Sequence, residues 1–277
     1  AAYQLNMFFN TTMIARFDGM VTLLNYVQNI VIYMVLAFIY SVTAVVYPKL
    51  TASFTRGDMA DYKATLAGVL ESTAALLVPI TFGFITVRRP LLELIANYGK
   101  ITPTDIDRAC TLIVMYSIGI LGVGLKEILD RAFYAAKNTM LPAVNGFIIM
   151  AVNVTLSLVL TRFIGAYGIP LAYSTASLVG LCVLLALLRR KIGVFAKGLG
   201  TTLVKCLAAA LVMAGAVLAV NAGLDAAFAS ASVPARLVKL AAPACVGVLV
   251  YGVMALVLRV NAVKPVLAKL KSLVHRA

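Results

Sequence analysis

The chain has 277 residues, 62% of them apolar and 12% charged, with a mean hydropathy of +1.00. Soluble domains average about half apolar and about a quarter charged, so this composition is that of a polytopic membrane protein, and its apolar runs are too many and too long for a signal peptide. The net charge of +14 does not point to nucleic acid, because the basic residues lie in loops between the apolar runs.

Hydropathy predicts an all-α integral membrane protein with about eight transmembrane helices, over about 1–15, 20–47, 64–87, 109–134, 140–163, 166–188, 199–222 and 237–258. The first run is shorter than the ~20 residues that a crossing needs. With a start at Ala1-Ala2-Tyr3-Gln4 and no Met, this predicts truncation at the N-terminus. After the second span, TRGDMADYKAT (55–65) reads as a turn followed by a short surface helix. The stretch 88–108 is the longest between spans, and ITPTDIDRAC within it predicts a helix start. There Thr102 or Thr104 serves as cap, with Asp105 and Asp107 in the first turn. Residues 125–163 join two apolar helical segments through a short charged elbow. Lys126 and Asp130, like Glu127 and Arg131, stand four apart on one helix face. Asn138 and Thr139 offer capping oxygens, and Pro142 suits a first turn. Residues 259–277 form a basic tail, with an interfacial helix expected after Pro265.

Fifteen Lys and Arg residues fall in the loops 48–63, 126–139 and 189–198 and in the tail, against seven on the opposite side. The positive-inside rule makes the first set, and with it the C-terminus, cytoplasmic.

Little here suggests catalysis. The one histidine is His275, in the tail, and neither paired intramembrane carboxylates nor a phosphate-cradling glycine loop is present. Cys110, Cys182, Cys206 and Cys245 are isolated and read as small core residues, so neither a metal site nor a disulfide framework is indicated, and no cofactor is expected. Gly119, Gly122 and Gly124 read as sites of close helix approach.

Polar residues inside spans carry more information, since they are costly in lipid and face a bundle interior or a cavity. Asn6 and Asn10 are one turn apart, with Thr11 and Thr12 beside them. Asn25, Gln28 and Asn29 share a face of the second span; Asn145, Asn153 and Ser157 mark the fifth; Tyr173, Ser174 and Thr175 mark the sixth. Each alone could serve an interhelical hydrogen bond, worth about 0.6 kcal/mol. Spread over four helices, the set predicts a polar cavity for substrate, with Asn6, Asn10, Asn25, Gln28, Asn29, Asn153, Ser174 and Thr175 as its candidates. Glu71 is the one acid well inside a span. Two roles stay open to it: a carboxylate that snorkels or pairs with a neighbour, or one that couples transport to a proton or ion. The pair Glu127 and Arg131 is either a gate latch or a static helix-end pair.

DRAFYAAKNTMLP (130–142), the Asn-bearing helix after it and GAYGIPLAYSTAS (165–177) resemble the lipid II flippases of bacterial peptidoglycan synthesis, the MurJ/MviN family of the MOP flippase superfamily. YPKLTASFTRGD (47–58) and RRPLLELIANYGKIT (88–102) resemble it too, and the four stretches stand in family order within residues 20–193. The resemblance implies a carrier of about fourteen spans in two lobes around a central cationic cavity, moving a lipid-linked sugar by alternating access. Matched in order, residues 1–190 correspond to the second six-helix lobe, and 191–277 to two additional helices and a cytoplasmic tail. The N-terminal lobe of the same protein is then a missing partner.

Two departures qualify the match. Where the family carries an Arg on the second span of this lobe, NYVQNI places Asn29, which cannot grip a diphosphate bidentately. Some relatives bind sodium in this lobe through two acids and an Asn. Asn153 matches that Asn, but Asn10 and Ser157 stand at the acids and Tyr173 at a threonine, so sodium binding is not expected.

The resulting expectation is a non-enzymatic flippase of lipid II, the undecaprenyl-pyrophosphate-linked peptidoglycan precursor, in the bacterial inner membrane. Its partners would be that precursor and membrane lipids. A flippase of another polyprenyl-linked glycan, or a drug or ion antiporter of the superfamily, is the alternative within the class. A non-transporting membrane scaffold for cell-wall enzymes is the alternative outside it.

Overall fold

A computed structural model describes residues 2–17, 19–96, 102–193, 198–227 and 233–260. They form ten α-helices, with a π-helical segment and a short 3-10 turn and no strand among the described residues. The helices are α1 (Ala2–Ile14), α2 (Met20–Gln28), α3 (Met34–Thr55), α4 (Met59–Ala96), α5 (Pro103–Ser117), α6 (Ile120–Ala135), α7 (Met140–Ile164), α8 (Gly168–Ile192), α9 (Leu199–Ala227) and α10 (Val233–Val257).

Among the described residues, five stretches are long and apolar enough to cross a membrane, and the bent pair α5–α6 adds a sixth. One of the five, Met140–Ile192, is a hairpin. Gly168 of α8 lies against Leu160 and Thr161 of α7, and Gly180 against Ile149 and Asn145, so the two helices run antiparallel. The reversal needs Gly165, which caps α7 at φ +59°, a conformation that costs a residue with a Cβ. α1, with 13 residues, is shorter than a crossing.

Local chemistry sets the helix ends. Thr102 caps α5, and Thr102 and Asp105 form a reciprocal capping box, with Pro103 in the first turn. Asp58 Oδ1 accepts from the Asp61 N–H at 2.9 Å and starts α4. Asn138 Oδ1 accepts from the Leu141 N–H at 3.2 Å ahead of α7. Two expectations are corrected. The short surface helix after residue 58 is not separate, because neither Gly nor Pro stands in 59–67, and α4 runs unbroken for 38 residues, with Pro79 and Pro90 inside it. The second span is not one regular helix, since Asn29–Tyr33 between α2 and α3 is π-helical. The tail from residue 261, with its expected interfacial helix and His275, lies outside the described residues, as do 97–101 and 194–197 of the loops.

The helices gather into two compact units. The first comprises residues 1–66 and 100–195, the second 67–99 and 196–277. In the first, α8 packs along α7 on one side and α6 on the other, α3 packs on α6, and α1 on α7. Glycines bring α6 and α8 close: a Cβ on Gly119 would lie 2.7 Å from Ser174 Cα, and one on Gly122 2.8 Å from Leu178 N. In the second unit, α9 and α10 pack together. Side chains from both pin the membrane part of α4, Asn221 donating to the Thr86 carbonyl at 3.1 Å and Tyr251 to that of Ala75 at 2.6 Å. Lys239 and Asp225 pair at 2.7 Å across the α9–α10 hairpin.

Candidate functional site

The first unit holds a partly open cavity of about 480 Å³, within the range of small-molecule sites. Its walls come from five helices and the π-helical segment. Asn6 enters from α1, Tyr33 from the π-helical segment, and Leu36 and Tyr40 from α3. α6 adds Val123, Lys126 and Glu127, α7 Gly146 and Ile149, and α8 Tyr173 and Ser177. Most of this surface is apolar or aromatic, and its charge is confined to α6. There Lys126 Nζ meets Asp130 Oδ2 at 2.6 Å, and Arg131 meets Glu127 at 3.1 Å. Arg131 also lies 6.0 Å over the Tyr134 ring and lines a second recess with Tyr40, Thr43 and Tyr47.

Beside the large cavity, a recess of about 20 Å³ is lined by Asn6, Asn10, Thr11, Asn25, Gln28, Tyr116 and Tyr173. That is room for about one water. Asn153 is the hub behind it. Fully buried on α7, its Nδ2 donates to Asn6 Oδ1 at 2.5 Å and to Asn10 Oδ1 at 2.9 Å. Asn153 Oδ1, Ser157 Oγ and both amide atoms of Asn145 are buried without a hydrogen-bond partner among the described residues. Helical spacing explains the stripe, since 145, 149, 153 and 157 fall on one face of α7.

The sequence-derived candidates separate into groups. Asn6, Asn10 and Asn153 meet directly, and Asn25 and Gln28 share the small recess with Asn6 and Asn10. Asn29 is exposed and lines neither cavity. Ser174 is fully buried and donates to the Met115 carbonyl at 2.6 Å, which places it in the α5–α8 contact. Thr175 returns its hydroxyl to the Leu171 carbonyl at 2.9 Å. Glu71 belongs to the second unit, where its carboxylate abuts Gly198 at the start of α9. A carboxylate there complements the helix dipole. Glu127 lines the large cavity while paired with Arg131. Tyr33, Tyr40, Lys126 and Ser177 are lining residues that the sequence did not single out as such. Tyr33 and Tyr40 are seven apart and Tyr173 and Ser177 four apart, so helical spacing was the available signal.

The sodium set implied by the resemblance does not fit. No group of three or more His, Cys, Asp or Glu side chains gathers among the described residues. The Asn153 amide N–H groups point at the Asn6 and Asn10 oxygens, the atoms that a hard cation would require for itself.

Comparison with known proteins follows the same lines. Residues 1–239 match the family model described as "Lipid II flippase MurJ". The probable lipid II flippase MurJ of Thermotoga maritima is 29% identical over 120 residues, 43% of this chain and 25% of that protein. That of Vibrio cholerae is 26% identical over 183 residues, 65% of this chain and 35% of that protein. The lipid II flippase MurJ of Burkholderia cenocepacia is 27% identical over 218 residues, 76% and 42% of the two chains. A solved lipid II flippase MurJ in an inward closed conformation superposes with a TM-score of 0.77 at 21% identity, covering 93% of this chain and 51% of that one. The chain thus spans about half the length of that structure and less than half of the relatives it matches. With the family model matched over most of its length, the chain belongs to the lipid II flippase MurJ family.

Proposed function

We propose that this chain is the C-terminal part of a lipid II flippase of the bacterial inner membrane. Residues 1–190 act as its second lobe, and 191–277 as added helices and a cytoplasmic tail. The substrate is the polyprenyl-diphosphate-linked peptidoglycan precursor, and the movement is alternating access of this lobe against an N-terminal lobe, with no covalent step. One observation carries the reading: a family-matched helical unit holds a cavity with a neutral amide cluster beside it. Asn and Gln side chains offer both donors and acceptors, which suits the hydroxyls and amides of a glycopeptide headgroup.

The experiment is lipid II translocation in vesicles containing the full carrier, with Asn10, Asn29 and Asn153 changed to Leu in turn. Loss of translocation with retained membrane insertion supports the carrier. Wild-type translocation in all three variants refutes a role for the amide cluster in transport, and the absence of translocation by the unchanged carrier refutes the flippase reading and favours a scaffold. A C-terminal alkaline phosphatase fusion tests orientation: inactive enzyme means a cytoplasmic C-terminus, as the loop charges require.

A further inference from the structure

One group behind the wall of the large cavity, reached through the lining residue Lys126, is poorly provided for. Asp130 has a side chain only 10% exposed. Its Oδ2 accepts from Lys126 Nζ at 2.6 Å, while Oδ1 is buried without a partner among the described residues. A buried acceptor left unpaired costs about 1–3 kcal/mol, more when charged. Such an atom in a native fold calls for a reason. Lys126, the group Asp130 holds, lines the cavity together with the phenols of Tyr33 and Tyr40.

We propose that Lys126, Tyr33 and Tyr40 form a binding site for a phosphate or diphosphate group, and that Asp130 holds Lys126 in reserve until it takes a proton on Oδ1. The proton comes from a solvent hydronium ion, which is left as water. An O–H bond forms on Asp130, the carboxylate becomes a neutral acid, and Lys126 keeps its ammonium protons but loses its counter-ion. The cavity gains one positive charge, and the arriving anion neutralises it. Release of the anion lets Asp130 return its proton and recapture Lys126.

The surroundings favour this division of labour. On α6 itself, Glu127 is held by Arg131 at 3.1 Å, which leaves Lys126 as the cation that one proton can free. The elements packed on α6 face the cavity with Tyr33, Tyr40 and Tyr173, and α7 contributes only Gly146 and Ile149. Tyr62, from the first turns of α4, commits its hydroxyl to the Ala132 carbonyl at 2.7 Å. An ammonium is a point charge suited to phosphate, and phenols supply neutral donors. The inference gives the cavity of the carrier reading a ligand chemistry, yet binding is measurable whether or not the chain transports.

The test is calorimetric binding to the purified full chain, with a short-chain polyprenyl phosphate and, separately, inorganic phosphate, at acidic and alkaline pH. Binding should be tighter in acid, and titration in buffers of different ionisation enthalpy should show uptake of about one proton per ligand. Lys126→Gln should weaken binding about tenfold or more, Lys126→Arg should restore it in part, and Asp130→Asn should hold the acid-level affinity at every pH. A response to the polyprenyl phosphate alone assigns a lipid-borne group, and a response to both probes assigns the anion itself; either supports the site. Unchanged binding in Lys126→Gln overturns the proposal. So does the absence of proton uptake by the wild-type chain, a result that needs no variant to fold. Loss of translocation with binding intact would fault the carrier reading instead.

Discussion

Changing Gly122 to Ala should loosen the joint that holds the charged wall of the cavity in place. A Cβ at this position would lie 2.8 Å from Leu178 N and Ser177 C and 3.0 Å from Ser177 O, all backbone atoms of α8. Carbon contacts settle near ~3.5–4.0 Å, so α6 and α8 must part by up to about 1 Å, because backbone cannot swing aside. Overpacking of this kind costs about 1–3 kcal/mol. For a chain of this size, at roughly 2–4 °C per kcal/mol, the expected loss is a melting temperature lower by about 2–12 °C. Thermal unfolding of the purified protein in detergent reads it directly. Gly68→Ala is the matched control: it sits inside α4 with nothing within 4 Å of an added Cβ, so helix propensity alone should leave it neutral or slightly stabilising. If Gly122→Ala melts no lower than Gly68→Ala, the close α6–α8 approach described above is wrong. The damage should also reach function, since Lys126 lies one turn further along α6.

Other perturbations act at single, separable points. Tyr62→Phe removes the 2.7 Å bond from a buried phenol to the Ala132 carbonyl and should cost about 1 kcal/mol, visible as a lower denaturation midpoint. Thr102→Ala removes the α5 cap; a loss of about 1 kcal/mol is expected, with Thr102→Ser close to wild type, and equal stability of all three forms would discount the capping box. Asn153→Ala leaves the Asn6 and Asn10 oxygens without their shared donor and should destabilise by about 1 kcal/mol, at the two-bond scale of membrane interiors. The double change Asn10→Asp with Ser157→Asp places two carboxylates beside Asn153 and should make thermal stability rise with sodium. The unchanged chain should show no such rise, and a sodium response in it would overturn the fit argued from the Asn153 amide.

Much of the fold was legible because a bilayer imposes length and hydropathy, and because helix ends follow local chemistry. The start of α5 is read from Thr102 or Thr104 as cap with Asp105 and Asp107 in the first turn, and Thr102 takes the role. Convergence of Asn6 and Asn10 on Asn153 had a signal too, since a one-turn spacing puts two amides on one face and lipid forbids leaving them there. Facing is harder. Membrane helices carry weak amphipathic patterns, so nothing in the chain order told that Ser174 would close the α5–α8 contact while its neighbours Tyr173 and Ser177 line the cavity. Glu71 was conspicuous as a lone acid in an apolar span, but its neighbour at Gly198 is more than a hundred residues away. Lys126 passed as half of a surface pair because i, i+4 spacing says who is adjacent and not what lies behind them.

The π-helical segment Asn29–Tyr33 works as a phase shifter in the longest helical run of the first unit. An α-helix turns about 100° per residue, and a bulge with i→i+5 bonding turns less, so five such residues accumulate a lag of roughly a quarter turn. The amides of Asn25 and Gln28 and the phenols of Tyr33 and Tyr40 therefore point along directions that one regular helix could not give them. Removing a single residue inside the segment would restore regularity and rotate every downstream side chain together. Tyr33 and Tyr40 would leave the cavity, while composition and hydropathy stayed almost the same.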